Sequence, residues 1–116
     1  MDARRAARVA EAIRQELAEI IGYEMEDPRV AEVTVTGVEV SRDLRLAQVR
    51  VAAGGDADQQ RAAVVALEGA RHWIRRELAG RLRLWRIPEF HFQADADAEA
   101  PGGEEPGRGG GRVASG

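Results

Sequence analysis

The segment that decides the fold is LEGARHWIRRELAGRLRLWRIPEFHF, Leu67 to Phe92. At about 100° per residue, Ile74, Leu78 and Leu82 fall on one side of a helix, joined by Leu67 and Ala70 from upstream. His72, Arg76 and Arg83 fall on the opposite side, with Arg75 beside them. Gly69 interrupts the helical pattern that arrives from upstream, so the segment reads as helix, break, helix. Ile87-Pro88 then opens a strand, since proline is tolerated at a strand start. Phe90 and Phe92 share one face of that strand; Glu89, His91 and Gln93 share the other. From Ala70 to Arg86 there are six arginines and one acid, Glu77, a formal +5 within a chain whose total is −3. A solvated helix face normally intersperses acids. A face of nearly one sign is the footprint expected for a polyanion.

Upstream, Gly54-Gly55-Asp56 breaks a strand, and Asp56 or Asp58 caps a helix running to about Glu68. Before it, Leu46 to Ala53 reads as a strand with Ala47, Val49 and Val51 inward and Gln48 and Arg50 outward. Val33 to Val40 reads as its antiparallel neighbour across the turn Ser41-Arg42-Asp43-Leu44-Arg45. Val33 and Val35 are out of phase with Val38 and Val40, and a bulge at Gly37 restores a single apolar face. Ala3 to Gly22 is an amphipathic helix, with Ala6, Val9, Ala10, Ile13, Leu17, Ile20 and Ile21 at helical spacing. Asp2 is its candidate N-cap and Gly22 its expected positive-φ stop. Tyr23 to Val30 is a connector in which Pro28 keeps Asp27 out of a helix. The order is α-β-β-α-α-β: an α+β domain with helices on one face of a three-stranded sheet.

At 116 residues the chain is of one-domain size. Residues 1–94 form that domain. Residues 95–116 are Gly, Ala, Pro and acids with almost no apolar bulk, and are expected to be disordered. Through residue 92 the chain holds 15 arginines and 15 acids; the rest adds 2 arginines and 5 acids. The body is therefore neutral but polarised. All 17 basic residues are arginine, planar forks suited to phosphate and to stacking on bases. No apolar run approaches the ~18 residues of a membrane span, and no signal peptide is expected. The absence of cysteine excludes disulfides and thiolate chemistry and fits a cytoplasmic protein.

No catalytic constellation emerges. Serine stands only at 41 and 115 and histidine only at 72 and 91; there is no P-loop. Glu24, Glu26 and Asp27 occupy one solvated loop without a ligand set. His91 is an exposed strand residue, and Trp73 and Trp85 are core or boundary packing. No enzyme, cofactor or metal is expected. What remains is binding. Arg71, His72, Arg75, Arg76, Arg83 and Arg86, helped by Arg4, Arg5, Arg8, Arg29, Arg42 and Arg45, are the candidate RNA contacts. Arg81 lies nearer the core side and is expected to snorkel or pair locally.

RVAEAIRQELAEII (Arg8 to Ile21), EDPRV (Glu26 to Val30), VTVTGVEVSRDLRLAQVRV (Val33 to Val51) and RRELAGRLRLWRIPEFHF (Arg75 to Phe92), in this order, resemble the ribosome-binding factor A family. The resemblance implies a type II KH-like domain. It further implies a cytoplasmic, non-enzymatic assembly factor that binds the small ribosomal subunit and its 16S rRNA during late maturation, supports 5′-end processing and is associated with cold adaptation. In KH domains a GxxG loop between two helices meets the nucleic acid backbone. This family replaces it with a kink carrying Ala-x-Gly. The matching residues here are Ala70-Arg71-His72, with His72 where glycine is typical. Gly69, one residue earlier, is an alternative source of flexibility, so the kink spans Gly69, Ala70, Arg71 and His72. A monomer is expected, without membrane contact. From a different class, the arginine helix suits a protein-interaction module docking an acidic partner.

Overall fold

The structure is a computed structural model that describes residues 3–84 and 86–95. The expectations placed on Asp2, Trp85 and the tail beyond residue 95 lie outside the described residues. The elements run α1 (Ala3–Glu19), β1 (Thr34–Val40), β2 (Leu46–Ala52), α2 (Ala57–Gly69), α3 (Arg71–Arg81) and β3 (Glu89–Ala94). The strands form one sheet in the order β1-β2-β3. β1 and β2 are antiparallel, whereas β2 and β3 are parallel, pairing Leu46 with Glu89 through Val51 with Ala94. Parallel neighbours need a long crossover, and α2 and α3 supply it.

The apolar phases of the three strands meet on one face. Val35, Ala47, Val49, Val51, Phe90 and Phe92 are buried there against Ile13 and Leu17 of α1, Leu67 of α2, and Ile74 and Leu78 of α3. The phase slip in β1 is resolved as its spacing predicts. Val35 pairs with Val51 and Gly37 with Arg50, so Thr36 is the extra residue. The Thr36 hydroxyl lies 2.7 Å from Asp95 Oδ2 and 3.2 Å from the Arg50 carbonyl oxygen. A Cβ on Gly37 would meet the Arg50 guanidinium at 2.4 Å, so glycine also leaves room for that side chain.

The β1–β2 turn carries a feature that its sequence conceals. Leu44 has φ 60, the one positive value among described non-glycine residues, and its side chain is buried in the core. A left-handed backbone costs such a residue about 1–2 kcal/mol, and burying a leucine side chain returns about 1.5–3. Burial wins. Hydrogen bonds fix the shape: Ser41 Oγ accepts from the Arg45 and Leu46 amides at 3.2 and 3.0 Å, and Asp43 Oδ1 accepts the Ser41 hydroxyl at 2.7 Å.

Gly22 does not end α1 in a left-handed conformation; Gly55, with φ 92, is the positive-φ glycine among the described residues. Instead α1 passes into a π turn, Ile20–Glu24, closed by Met25 N–H to the Ile20 carbonyl at 3.1 Å. Ile20 and Ile21 are both buried. The wider turn accommodates two consecutive isoleucines facing the core. A 3-10 turn at Pro28–Val30 follows, capped by Asp27. α2 opens with a full capping box between Asp56 and Gln59, which selects Asp56 over Asp58.

Gly69 is helical, the last residue of α2, and the break is the single residue Ala70 at φ −96, ψ 3. At the other end α3 stops at Arg81, with Leu82 extended at φ −112, ψ 139. Arg83 is therefore not on the helix, which corrects its place on the predicted polar face. Trp73 packs against the edge of the core, as expected. Glu68, near the end of α2, accepts the Phe92 amide of β3. The even-numbered amides of β3 point away from β2, because Glu89 and Asp95 donate to it. Glu68 thus satisfies one of the outward amides of β3.

Candidate nucleic-acid interface

Helical spacing buries Ile74 and Leu78 of α3 and leaves His72, Arg75, Arg76 and Ala79 exposed. Because α3 stops at Arg81, the chain leaves the helix axis, and Arg86 and Ile87 come to lie alongside the exposed face. Arg75 fastens this return: its Nε and Nη2 donate to the Ile87 carbonyl oxygen at 3.2 and 2.9 Å. Between helix and return segment lies a cleft of about 550 Å³ lined by His72, Arg75, Arg76, Ala79, Arg86 and Ile87. Among the described residues no carboxylate lines it. Its three arginines face one concavity, the arrangement that concentrates positive potential and attracts phosphate.

A second concavity of about 320 Å³ adjoins the first, sharing His72 and Arg75 with it and adding Arg71, Glu89 and Phe90. Arg71 is already engaged, its Nη1 donating to Glu68 Oε1 at 2.8 Å. Its Nε is buried without a partner. Glu89 Oε2 lies 3.3 Å from His91 Nε2. His91 is half-buried between Glu89 and Glu68 rather than freely exposed.

The remaining predicted contacts divide. Arg29 is held by Asp27 in a bidentate pair, with contacts at 2.6 to 3.1 Å. The Arg29 guanidinium, and after it the Arg29 amide, holds the Asp27 carboxyl down at about 2. Arg45 lies 3.7 Å from Asp43. Arg4, Arg8 and Arg42 are exposed. Arg42 and the first turns of α1 border a separate groove, lined also by Val38, Glu39 and Val40, which shares no residue with the α3 cleft. Arg5 is half-buried and has a partner. Arg83 is exposed on the return segment but does not line the cleft. Of the predicted residues, His72, Arg75, Arg76 and Arg86 converge, with Arg71 adjacent.

Arg81 fulfils its separate expectation. It pairs with Glu24, and lies 3.7 Å from both Glu16 and Glu77. The Glu24 contact above all raises its pKa further. Glu24 and Asp27 thus serve as ion-pair partners, and no acid or histidine cluster able to hold a metal is present among the described residues. No described helix is long and apolar enough to cross a membrane.

The family model of ribosome-binding factor A matches residues 5–101. The chain belongs to the ribosome-binding factor A family. It is 52% identical over 99 residues to ribosome-binding factor A of Solibacter usitatus, covering 85% of this chain and 80% of that one. It is 48% identical over 99 residues to that of Thermomicrobium roseum, covering 85% and 77%. The fold matches the crystal structure of ribosome-binding factor A from Thermus thermophilus, with a TM-score of 0.70 at 31% identity, covering 77% of this chain and 93% of that one. The solution structure of a putative ribosome-binding factor A from Thermotoga maritima gives 0.72 at 33%, covering 86% and 95%. A Thermus thermophilus homology model fitted into the cryo-electron microscopy map of a complex of the 30S particle and ribosome-binding factor A gives 0.59 at 29%, covering 80% and 93%. The type II KH-like arrangement expected from the sequence is the fold of these structures.

Within the ribosome-binding factor A fold, the histidine at the kink presents no backbone difficulty. His72 lies inside α3, and the break at Ala70 has a negative φ open to any residue. The substitution therefore changes the chemistry of the surface rather than the course of the chain. Sequence reasoning missed Glu68 and Glu89. Glu68 was detectable, since it stands three residues before Arg71 on a helical pattern. Glu89 was not, because only the parallel pairing of β3 brings it beside α3.

Proposed function

We propose that this chain is a cytoplasmic, non-enzymatic assembly factor that binds the small ribosomal subunit. It engages 16S rRNA during late maturation through the α3 cleft and so supports 5′-end processing of the precursor. The observation that carries this reading is the convergence of His72, Arg75, Arg76 and Arg86 on one concavity with no acid in its lining among the described residues. Family membership supports it, as does the structural match to a factor fitted into a 30S complex. Backbone phosphates are the natural ligand of such a surface, and each one neutralised releases condensed counterions, so binding should fall steeply with salt.

The test is co-sedimentation with small subunits. His72→Glu with Arg76→Glu reverses the cleft while leaving the Arg75 clamp in place, and an acid in the first turn of α3 suits the helix dipole. The double variant should keep its circular dichroism spectrum and lose co-sedimentation. Undiminished co-sedimentation removes the cleft from the interface. Wild-type capture that survives RNase favours a protein partner instead.

A further inference from the structure

The cleft and its neighbour differ in a way that a bare phosphate-binding surface has no use for. Among the described residues the larger compartment is lined by three arginines, His72 and apolar groups, whereas the smaller contains a carboxylate, Glu89, whose side chain is 62% exposed. That carboxylate repels phosphate. It accepts hydrogen bonds, and its exposed oxygens can do so from a ligand while Oε2 lies near His91. The compartments share His72 and Arg75, so one ligand can occupy both. Their volumes, about 550 and 320 Å³, lie in the range of small-molecule sites, about 300–1,000 Å³.

We propose that the two compartments together hold one unpaired RNA nucleotide, and that Glu89 selects a base carrying an exocyclic amino group. The phosphate lies against Arg75, Arg76 and Arg86. The base enters the smaller compartment, where the exposed His72 ring stacks on it and Glu89 accepts its amino N–H. This rests on the reading of the cleft as an RNA site and specifies the ligand. An RNA duplex carries its phosphates on a convex outer surface, and its cytosine and adenine amino groups lie in a deep, narrow major groove that side chains cannot read. It can fill the cationic compartment but cannot deliver a base to Glu89; an unstacked nucleotide can do both. Adenine, cytosine and guanine each offer an amino group to a carboxylate, as cytosine N4 does to Glu and Asp in duplex readout. Uracil offers one N–H flanked by two carbonyl oxygens, which a carboxylate repels.

Fluorescence anisotropy on the full chain, with labelled 12-nucleotide C-only and U-only strands and a blunt duplex of mixed sequence, tests this at low salt. The C strand should bind about tenfold more tightly than the U strand, the discrimination expected of one hydrogen bond to a charged group. Glu89→Ala should erase the difference without weakening the U strand. The duplex should compete poorly with the C strand. Equal affinity for C and U, a preference that survives Glu89→Ala, a duplex that outcompetes the strand, or no single-strand binding by a protein that still binds small subunits each overturns the proposal. The His72→Glu, Arg76→Glu variant separates the two levels. If it loses every RNA while the wild type shows no base preference, the cleft is an RNA site that does not read the base. If it binds all RNAs as the wild type does, the RNA reading of the cleft fails as well.

Discussion

The two ends of α3 hold the same kind of side chain in opposite circumstances. At its C-terminal end Arg81 is surrounded by Glu16, Glu24 and Glu77. At its N-terminal end His72 and Arg76 meet no carboxylate among the described residues, and Arg75 spends two of its donors on a backbone carbonyl. Helix periodicity already sets Arg81 nearer the core side than Arg76, but it does not name the acids that Arg81 meets. The difference comes from α1 and its π turn. They pack beside the C-terminal end and bring acids 57 and 65 residues distant in sequence to Arg81. One end of the helix is therefore fastened to the fold and the other is available to an external anion.

The largest effect should come from converting the available end. His72→Glu with Arg76→Glu should weaken small-subunit binding more than tenfold near physiological salt, read by co-sedimentation, with an unchanged melting temperature. Converting the fastened end should do the reverse. Arg81→Ala leaves three acids facing one another and should lower Tm by several degrees in thermal denaturation, with subunit affinity intact at low temperature. Comparable loss of binding in both variants would abolish the distinction.

Arg75 sits between these cases and sharpens the comparison. Arg75→Ala removes both the clamp and a cleft charge. It should cost about 1 kcal/mol of stability by denaturant titration as well as affinity. Arg75→Lys keeps the charge but loses the two-donor fork. It should recover most of the affinity and little of the stability.

The smallest effect concerns another fastened cation, Arg29. Native Asp27 titrates at about 2, below its ordinary value of about 3.9. Its stabilising contribution is thus present above pH about 4 and is lost as pH falls through 2. Carbon-13 detection of the Asp27 carboxyl should show this low midpoint, and Arg29→Ala should move it up toward 4. A midpoint unmoved by that change would show that the pair contributes nothing.

Much of this architecture is legible in the chain because it depends on neighbours in sequence. The out-of-phase valines of β1 require a bulge, and Gly37 marks it. Asp56 and Gln59 announce a capping box, and the Leu67–Leu78 stripe places α2 and α3. What was not legible depends on distant contacts. Gly22 resembles a helix stop, yet Ile20 and Ile21 both demand burial and the π turn satisfies them. Arg83 continues the helical wheel, yet α3 ends before it, where the chain turns back to lay β3 beside β2. Leu44 looks like an ordinary turn residue because nothing local shows that a hole in the core awaits its side chain. The candidate site was legible as a cationic stretch. Arg81 was already set apart as a pairing residue, but the cleft, the Arg75 clamp and the distant acids Glu16 and Glu24 were not legible.

The Glu68 carboxylate that takes the Phe92 amide also bears on self-association. Edge-to-edge growth of sheets into filaments requires every copy to offer two strand edges, one to give and one to receive. Glu68 occupies one donor on the β3 side, so among the described strands β1 offers the less obstructed edge for strand addition. Joining through β1 alone consumes that edge on both partners, so such an assembly closes at two copies and cannot propagate.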